Sequence, residues 1–575
     1  MRRKMFIQST APFVFPAANP SSFRVALTIA AGKVASDLTN FPVYVDLSGM
    51  PTGFWNHVKP DGGDIRVRTT TGTLIPFDLA RFDYYDHTGA LFIRRTVTTA
   101  SDTVVYIHYG NPGLSLLAPG DANGRNAVWA DYTSVFLLGE TADDRTGGAA
   151  PAVVGDPEFF EIVETSPDIN SHQGICSDGT FYYITDTNRI DKYDLSWNLV
   201  ASNADPIAST GLPVVNHCGD LDVYNGKLYI PIEFFADPAH SDEHICVFNA
   251  SDLSFDQAFD ISAQADEISS IAYCDADGLL YITCFSDGTF LNKYNPTSGV
   301  FQGALTLTAS DASSLAGLQW QGITYWHGAF WLSSELNDET YRCTYSGTVQ
   351  VSGLFGRPAA TAYEGIGHIK DALIQLVDDA ANENVFRLKP YSITNGVNGG
   401  VSIDTTGEYV SAAGRTSLTT FTMGVTATFS DKSQNRVPFS YWDNGVNDVR
   451  ATLAYRQSSG VIGFWDNVNT WTLSVINPTL NQSYRINGVV NGTTYKRVFV
   501  DGVQSGNTNT PLAVSNALDT ILIGREDSSD LESHRGLIGF VYLRPSALSN
   551  DWIAAEYSNI NAPASFYSLG PEVAI

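Results

Sequence analysis

Gln173-Gly-Ile-Cys-Ser-Asp-Gly-Thr-Phe-Tyr-Tyr-Ile-Thr-Asp186 decides the fold, because the chain says it again. Gly219-Asp-Leu-Asp-Val-Tyr-Asn-Gly-Lys-Leu-Tyr-Ile-Pro-Ile-Glu233 repeats the pattern, as does Ser270-Ile-Ala-Tyr-Cys-Asp-Ala-Asp-Gly-Leu-Leu-Tyr-Ile-Thr-Cys284. Gln321-Gly-Ile-Thr-Tyr-Trp-His-Gly-Ala-Phe-Trp-Leu-Ser-Ser-Glu335 is a fourth copy. Glu364-Gly-Ile-Gly-His-Ile-Lys-Asp-Ala-Leu-Ile-Gln-Leu-Val-Asp378 is a weaker fifth. Each copy reads as a short apolar strand, a two-residue turn signal and a second strand. The turn glycines Gly179, Gly226, Gly278 and Gly328 are 47, 52 and 50 residues apart.

A period near 45 with several strands per unit is that of a β-propeller. Third strands fit the register at Arg189-Ile-Asp-Lys-Tyr-Asp194, His244-Ile-Cys-Val-Phe-Asn249, Leu291-Asn-Lys-Tyr-Asn295, Tyr341-Arg-Cys-Thr-Tyr345 and Val385-Phe-Arg-Leu-Lys389. Five copies predict five blades. All six cysteines, Cys176, Cys218, Cys246, Cys274, Cys284 and Cys343, fall inside this block. They lack paired spacing, so buried free thiols are expected rather than a disulfide scaffold or a zinc site.

With 575 residues the chain is too long for one core. Its 49 Gly, 25 Pro and 27 Tyr favour short strands and tight turns. The class is all-β, and Asn550–Ser558 is the best short helical stretch. The net charge of −28 disfavours binding to a phosphate backbone and suits a soluble, acidic surface. Residues 1–20 read as an N-terminal arm. Its basic start is interrupted by Pro12, Pro16 and Pro20 and is not expected to act as a Sec signal peptide. No segment has the length and apolarity of a membrane span, and no membrane insertion is expected.

Residues 21–127 carry Phe41-Pro-Val-Tyr-Val-Asp-Leu47, Asp61-Gly-Gly-Asp-Ile-Arg-Val-Arg68, Leu74-Ile-Pro-Phe-Asp-Leu79 and Thr103-Val-Val-Tyr-Ile-His-Tyr-Gly-Asn-Pro112. In this order the motifs resemble a domain family of unknown function that recurs in bacterial surface proteins and phage tail proteins. The resemblance implies a jelly-roll-like β-sandwich and no established chemistry. Such domains are often followed by a concanavalin-like, laminin-G-type sandwich. Val128-Trp-Ala-Asp-Tyr-Thr-Ser-Val-Phe-Leu-Leu-Gly-Glu140 resembles its opening strand, and Asp143-Asp-Arg-Thr-Gly-Gly148 its first turn. The repeats then interrupt it. Val401-Ser-Ile-Asp-Thr-Thr-Gly-Glu-Tyr-Val410, Arg497-Val-Phe-Val-Asp-Gly-Val503, Ile521-Leu-Ile-Gly-Arg525 and Gly536-Leu-Ile-Gly-Phe-Val-Tyr-Leu543 resemble its later strands. Gly539 and Phe540 stand where that family usually has an acidic pair, so no acidic role is expected there. The organisation expected is a propeller, residues 155–392, inserted into a sandwich made of residues 128–150 and 396–575. Insertion is tolerated where chain ends lie close together on a surface.

In a propeller the starts of first strands and the ends of second strands emerge on one face. First-strand starts carry His172, Gln173, His217, Asp220, Glu267, Ser269, Gln319, Gln321 and Glu364; second-strand ends carry Asp186, Glu233, Glu335 and Asp378. Convergent polar groups in a concave mouth are the expected ligand site. Asp186, Glu233, Glu335 and Asp378 are hard oxygen donors suited to a divalent cation such as Ca²⁺. The bland alternative is that these groups satisfy strand ends and channel water. His217 with Asp220 is a candidate acid–base pair, and a pair of mouth carboxylates could serve a glycosidase. Trp320, Trp326 and Trp331 are expected as blade core. Trp442, Trp465, Trp471 and Tyr484 suit either a sugar platform or the sandwich core. No phosphate-binding, metalloprotease or nucleophile-elbow motif is present.

Adhesion-type modules without a catalytic signature point to a phage virion component: tail fibre, tail tip or head decoration. The partners expected are host-surface glycan, other virion proteins and further copies of the chain. The alternatives are a glycan-active enzyme and an extracellular bacterial adhesin.

Overall fold

The computed structural model describes residues 21–575 except 85–86, 139–143, 149–150, 155–158, 170–172, 236, 265, 311–313, 351–361, 371, 379–382, 391–400, 404–407, 416, 443–449, 467–469, 510–517 and 527–531. The proposed arm, residues 1–20, lies outside the described residues. The fold is all-β: two sandwiches and a five-bladed propeller inserted into the second.

In the first sandwich, Phe23–Ile29 buries Val25, Leu27 and Ile29 on one face, the alternation of a half-solvated strand. It pairs with Thr103–Tyr109, which pairs with Arg66–Thr69. Leu38–Asp46, Thr88–Val97 and Phe77–Asp83 form the facing sheet. The family-like motifs have a physical basis here. Asp64, fully buried, accepts hydrogen bonds from the backbone N–H groups of Lys59 (3.0 Å), Gly110 (2.6 Å) and Asn111 (3.0 Å). It thus fastens the Asp-Ile-Arg strand to the Tyr-Gly-Asn turn.

One expectation needs correcting. Residues 396–575 do not all belong to the second sandwich, since Ser568–Ala574 forms the edge strand of the first, with Phe23 opposite Ala574. Tyr109 donates to Glu572 at 2.8 Å and holds the strand there. Pro571 suits an edge, where no ladder N–H is needed on the outer side. Seven residues without clean alternation carry no sign of which sheet they join.

The second sandwich has two seven-stranded sheets. Ser134–Phe136 and Val401–Ile403 both pair with Gly536–Arg544, Phe136 opposite Val541 and Val401 opposite Ile538. Ala152–Val154 pairs with Tyr409–Ala412 in the other sheet. The chain thus leaves the sandwich after Val154 and is back in it by Val401. Asp144 and Arg415, one on each side of the insertion, form a buried ion pair at 3.0 Å. The helix Asn550–Asn561, capped by Ser549, wedges between the sandwiches. Trp552 meets Phe41, and the Asn559 side chain bonds both backbone groups of Tyr44. On the helix's other side Glu556 pairs with buried Arg485 at 2.5 Å and accepts from Tyr542 at 2.8 Å.

The propeller has five blades. The fifth consists of Ala362–Ile369, Ala372–Asp378 and Glu383–Pro390, completed by Phe160–Thr165 from the start of the insert. This late-to-early pairing closes the ring and brings the insert's two ends together. The turn glycines Gly179, Gly226, Gly278 and Gly328 all have φ between 75° and 80°, the left-handed region a two-residue hairpin requires. The turn of blade four reaches the first sandwich, where His327 Nε2 lies 3.0 Å from Asp83 Oδ2. The mouth is at the opposite end of the blades. All six cysteines are buried free thiols.

Candidate functional site

The centre of the mouth is closed by one side chain. Where blades one, four and five carry Gly174, Gly322 and Gly365, blade two carries Asp220. Asp220 is fully buried and accepts from the N–H groups of Ile175 (2.8 Å), Leu221 (2.9 Å), Ile366 (3.2 Å) and Ile323 (3.3 Å). It therefore ties the inner strands of four blades together. A Cβ on Gly174 or Gly365 would fall 2.6 Å from its Oδ1, which explains why those positions have no side chain. Burial pushes the Asp220 carboxyl well above the usual range, against the pull of the four donors. Asp220 is thus a structural plug, not a ligand group and not the partner of His217.

Around the plug the polar residues separate into two corners. At blades two and three, His217 Nδ1 lies 3.3 Å from Glu233 Oε1, and the Ile268 N–H donates to Glu233 Oε2 at 3.4 Å. Glu243 is 1% exposed, with its Oε1 3.3 Å from His240 Nδ1. Burial, the charge of Glu233 and a hydrogen bond to it push Glu243 up to about 9. Glu267 is also raised, by burial and by Glu233, with His240 and His217 opposing. Burial and the neighbouring Glu233 thus favour the protonated form of Glu243. Phe235, 56% exposed, lies 5.4 Å from the His217 ring.

At blades four and five, Gln321 donates to Glu335 at 3.1 Å. Glu364 is 8% exposed, and among the described residues its Oε2 has no hydrogen-bond partner. Burial, then the charges of Glu335, Asp378, Asp338 and Glu383, push Glu364 up to about 8. Its backbone is pinned: the Glu364 carbonyl accepts from Ser333 Oγ and from Gln375 Nε2.

The four residues proposed for Ca²⁺ do not come together. Glu233 stands in the first corner and Glu335 and Asp378 in the second, while Asp186 accepts from the Thr187 N–H. Among the described residues no three His, Cys, Asp or Glu side chains are arranged to hold a metal ion. His172 lies outside the described residues, and Gln173 is half-buried at the start of blade one. Sequence reading missed Glu243, His240 and Phe235. A signal for Glu243 existed, because third strands begin on the face where second strands end, and Glu243 immediately precedes His244–Asn249.

Trp320, Trp326 and Trp331 are blade core, as expected, at no more than 4% exposure. Tyr484 is buried in the sandwich core. Trp465 and Trp471 are directly opposed and half-buried on the outer face, with Arg456 5.3 Å over the Trp471 ring. Trp442 is half-buried too.

No family model and no curated sequence matches the chain. Similar solved structures include a glutaminyl cyclase from Myxococcus xanthus, at 11% identity and TM-score 0.32 over 40% of this chain and 96% of that one. Trypanosoma rangeli sialidase is similar over 71% of this chain and 99% of its own, at 10% identity and TM-score 0.25. A SAP-like pentraxin from Limulus polyphemus is similar over 24% of this chain and 70% of its own, at 19% identity and TM-score 0.21. At such scores the likenesses carry no functional inference.

Proposed function

We propose that this chain is a non-enzymatic glycan-binding component of a phage particle, with the propeller mouth as its sugar site. The observation that carries the reading is the His217–Glu233–Glu243 network beside the exposed Phe235 ring. Sugars offer hydroxyls that both donate and accept, and C–H faces that pack on aromatic rings. A mouth edge with the His217 imidazole, a carboxyl oxygen of Glu233 and the exposed Phe235 ring offers complements to these groups, with Glu243 buried behind them. The virion setting, with other particle proteins and further copies of the chain as partners, rests on the resemblance of residues 21–127 to domains of phage tail and surface proteins.

A glycan-active enzyme is the second reading. The specific observation in its favour is that burial and the charge of Glu233 push Glu243 up to about 9, since a carboxyl raised beside a second one can divide acid and base roles with it. Glycan-array binding of the whole chain, followed by product analysis on each hit, separates the two. Bound and unaltered glycan, with binding lost in Phe235→Ala and Glu233→Gln, supports the first. Released saccharide, abolished by Glu233→Gln, supports the second. Absence of binding to any glycan refutes both. Recovery of the protein in purified particles tests the virion setting.

A further inference from the structure

The second corner of the mouth is charged differently from the first. The groups that act on Glu364 are Glu335, Asp378, Asp338 and Glu383, all of them acidic. Glu364 is more than nine-tenths buried, and among the described residues its Oε2 accepts no hydrogen bond. A buried carboxyl oxygen without a donor costs free energy, which the fold does not recover internally. Its neighbours are otherwise committed to shaping the corner. Gln321 holds Glu335 at 3.1 Å, and Asp378 lies opposite Glu383 at the start of the next hairpin. The backbone beneath is rigid, with the bulge at Tyr363–Ile366 fixed by Ser333 and Gln375.

We propose that the corner formed by Gln321, Glu335, Glu364 and Asp378 binds a primary ammonium group on the ligand, that of an amino sugar left unacetylated. This rests on the glycan-binding reading and names the class of glycan. The groups favour an ammonium over a metal ion. A divalent metal needs several oxygens converging at fixed short distances, an arrangement not found among the described residues. An ammonium has three rotating donors and is satisfied by a few acceptors in loose geometry. It offers a donor to Glu364 Oε2 and a positive charge to a corner whose acids act on Glu364. An acetylated nitrogen has one N–H and no charge, and its acetyl group would be pressed against carboxylates.

Binding exchanges one proton for one cation. Burial and the surrounding acids favour the protonated form of Glu364, and the arriving ammonium favours the carboxylate. The proton leaves to solvent as the ligand binds.

The test is calorimetric titration of the whole chain, at mildly acid pH, with a glucosamine tetramer and with its fully N-acetylated counterpart. The expected result is at least about tenfold tighter binding of the amine form, equivalent to about 1.4 kcal/mol. Titration in two buffers of different ionisation enthalpy should show proton release with the amine form alone. Glu364→Gln, the isostere of the protonated acid, should erase the preference for the amine form, and a melting curve checks its fold. Glu335→Gln serves as the second variant. Equal affinities for the two tetramers would overturn the proposal and leave glycan binding intact. So would a preference that survives both variants, or melting raised by Ca²⁺ in a Glu364-dependent way. If neither tetramer binds, methyl glucosaminide and ethanolamine are titrated while melting is followed. A Glu364-dependent rise supports the ammonium site without the glycan, and no rise overturns it.

Discussion

Removing the Asp220 carboxylate should unfold the propeller. Four N–H groups from blades one, two, four and five end on its two oxygens, at 2.8 to 3.3 Å, in a site with no solvent access. A buried donor left without an acceptor costs about 1–3 kcal/mol. Asp220→Ala orphans four, on the order of 4–12 kcal/mol, which is comparable to the whole stability of a domain, about 5–15 kcal/mol. Asp220→Asn keeps the shape but only one accepting oxygen, and its amide nitrogen points at the donors the second oxygen served. Two lost bonds cost about 2–6 kcal/mol, which for a unit of this size lowers melting by roughly 5–20 °C. Circular dichroism with tryptophan fluorescence of the intact chain reads this, since Trp320, Trp326 and Trp331 report on the propeller core while Trp129 and Trp552 report on the sandwiches. Asp220→Ala melting within about 2 °C of the parent would refute the reasoning. The centre of the channel would then be wet, with water satisfying the donors.

Other outcomes follow from the same geometry. Glu243 and Glu364 have folded-state values raised from 4.5 to about 9 and about 8. Each folded chain keeps protons that the unfolded chain has released, so the stability they contribute is full below about 4.5 and is lost as pH rises toward 8–9. The slope is about 1.4 kcal/mol per pH unit per group, and denaturant titrations across that window should flatten in Glu243→Gln. Glu556→Ala strands the buried Arg485 guanidinium and should cost about 3–5 kcal/mol by urea unfolding, with part of the loss recovered when Arg485→Met is added. The six thiols are all buried, and burial raises every one of them, so a thiol reagent should label none in the native chain and all six in denaturant.

What the sequence determined was everything carried by local period. Alternating apolar residues with a Gly turn every 47 to 52 positions left no reading other than radially repeated hairpins, because each hairpin needs neighbours to bury its second face. The split sandwich was legible for a similar reason: Val128–Glu140 and Val401–Val410 are halves of one pattern on either side of a foreign period. The mouth residues were legible as a set, since antiparallel strands fix which ends share a face. Tertiary structure alone decided how that set divides. Asp220 and Glu364 occupy neighbouring positions in the repeat and read alike, yet one meets four N–H donors and the other meets acidic neighbours and no donor to its Oε2. Likewise His217 reads as a partner for either Asp220 or Glu233; the strand register sets it directly opposite Glu233, while Asp220 turns toward the N–H groups of the other blades. The edge strand Ser568–Ala574 shows the same limit. Sequence specifies which way a side chain points along its own strand, whereas the field around a charge is set by other strands and neighbouring blades, brought there by packing.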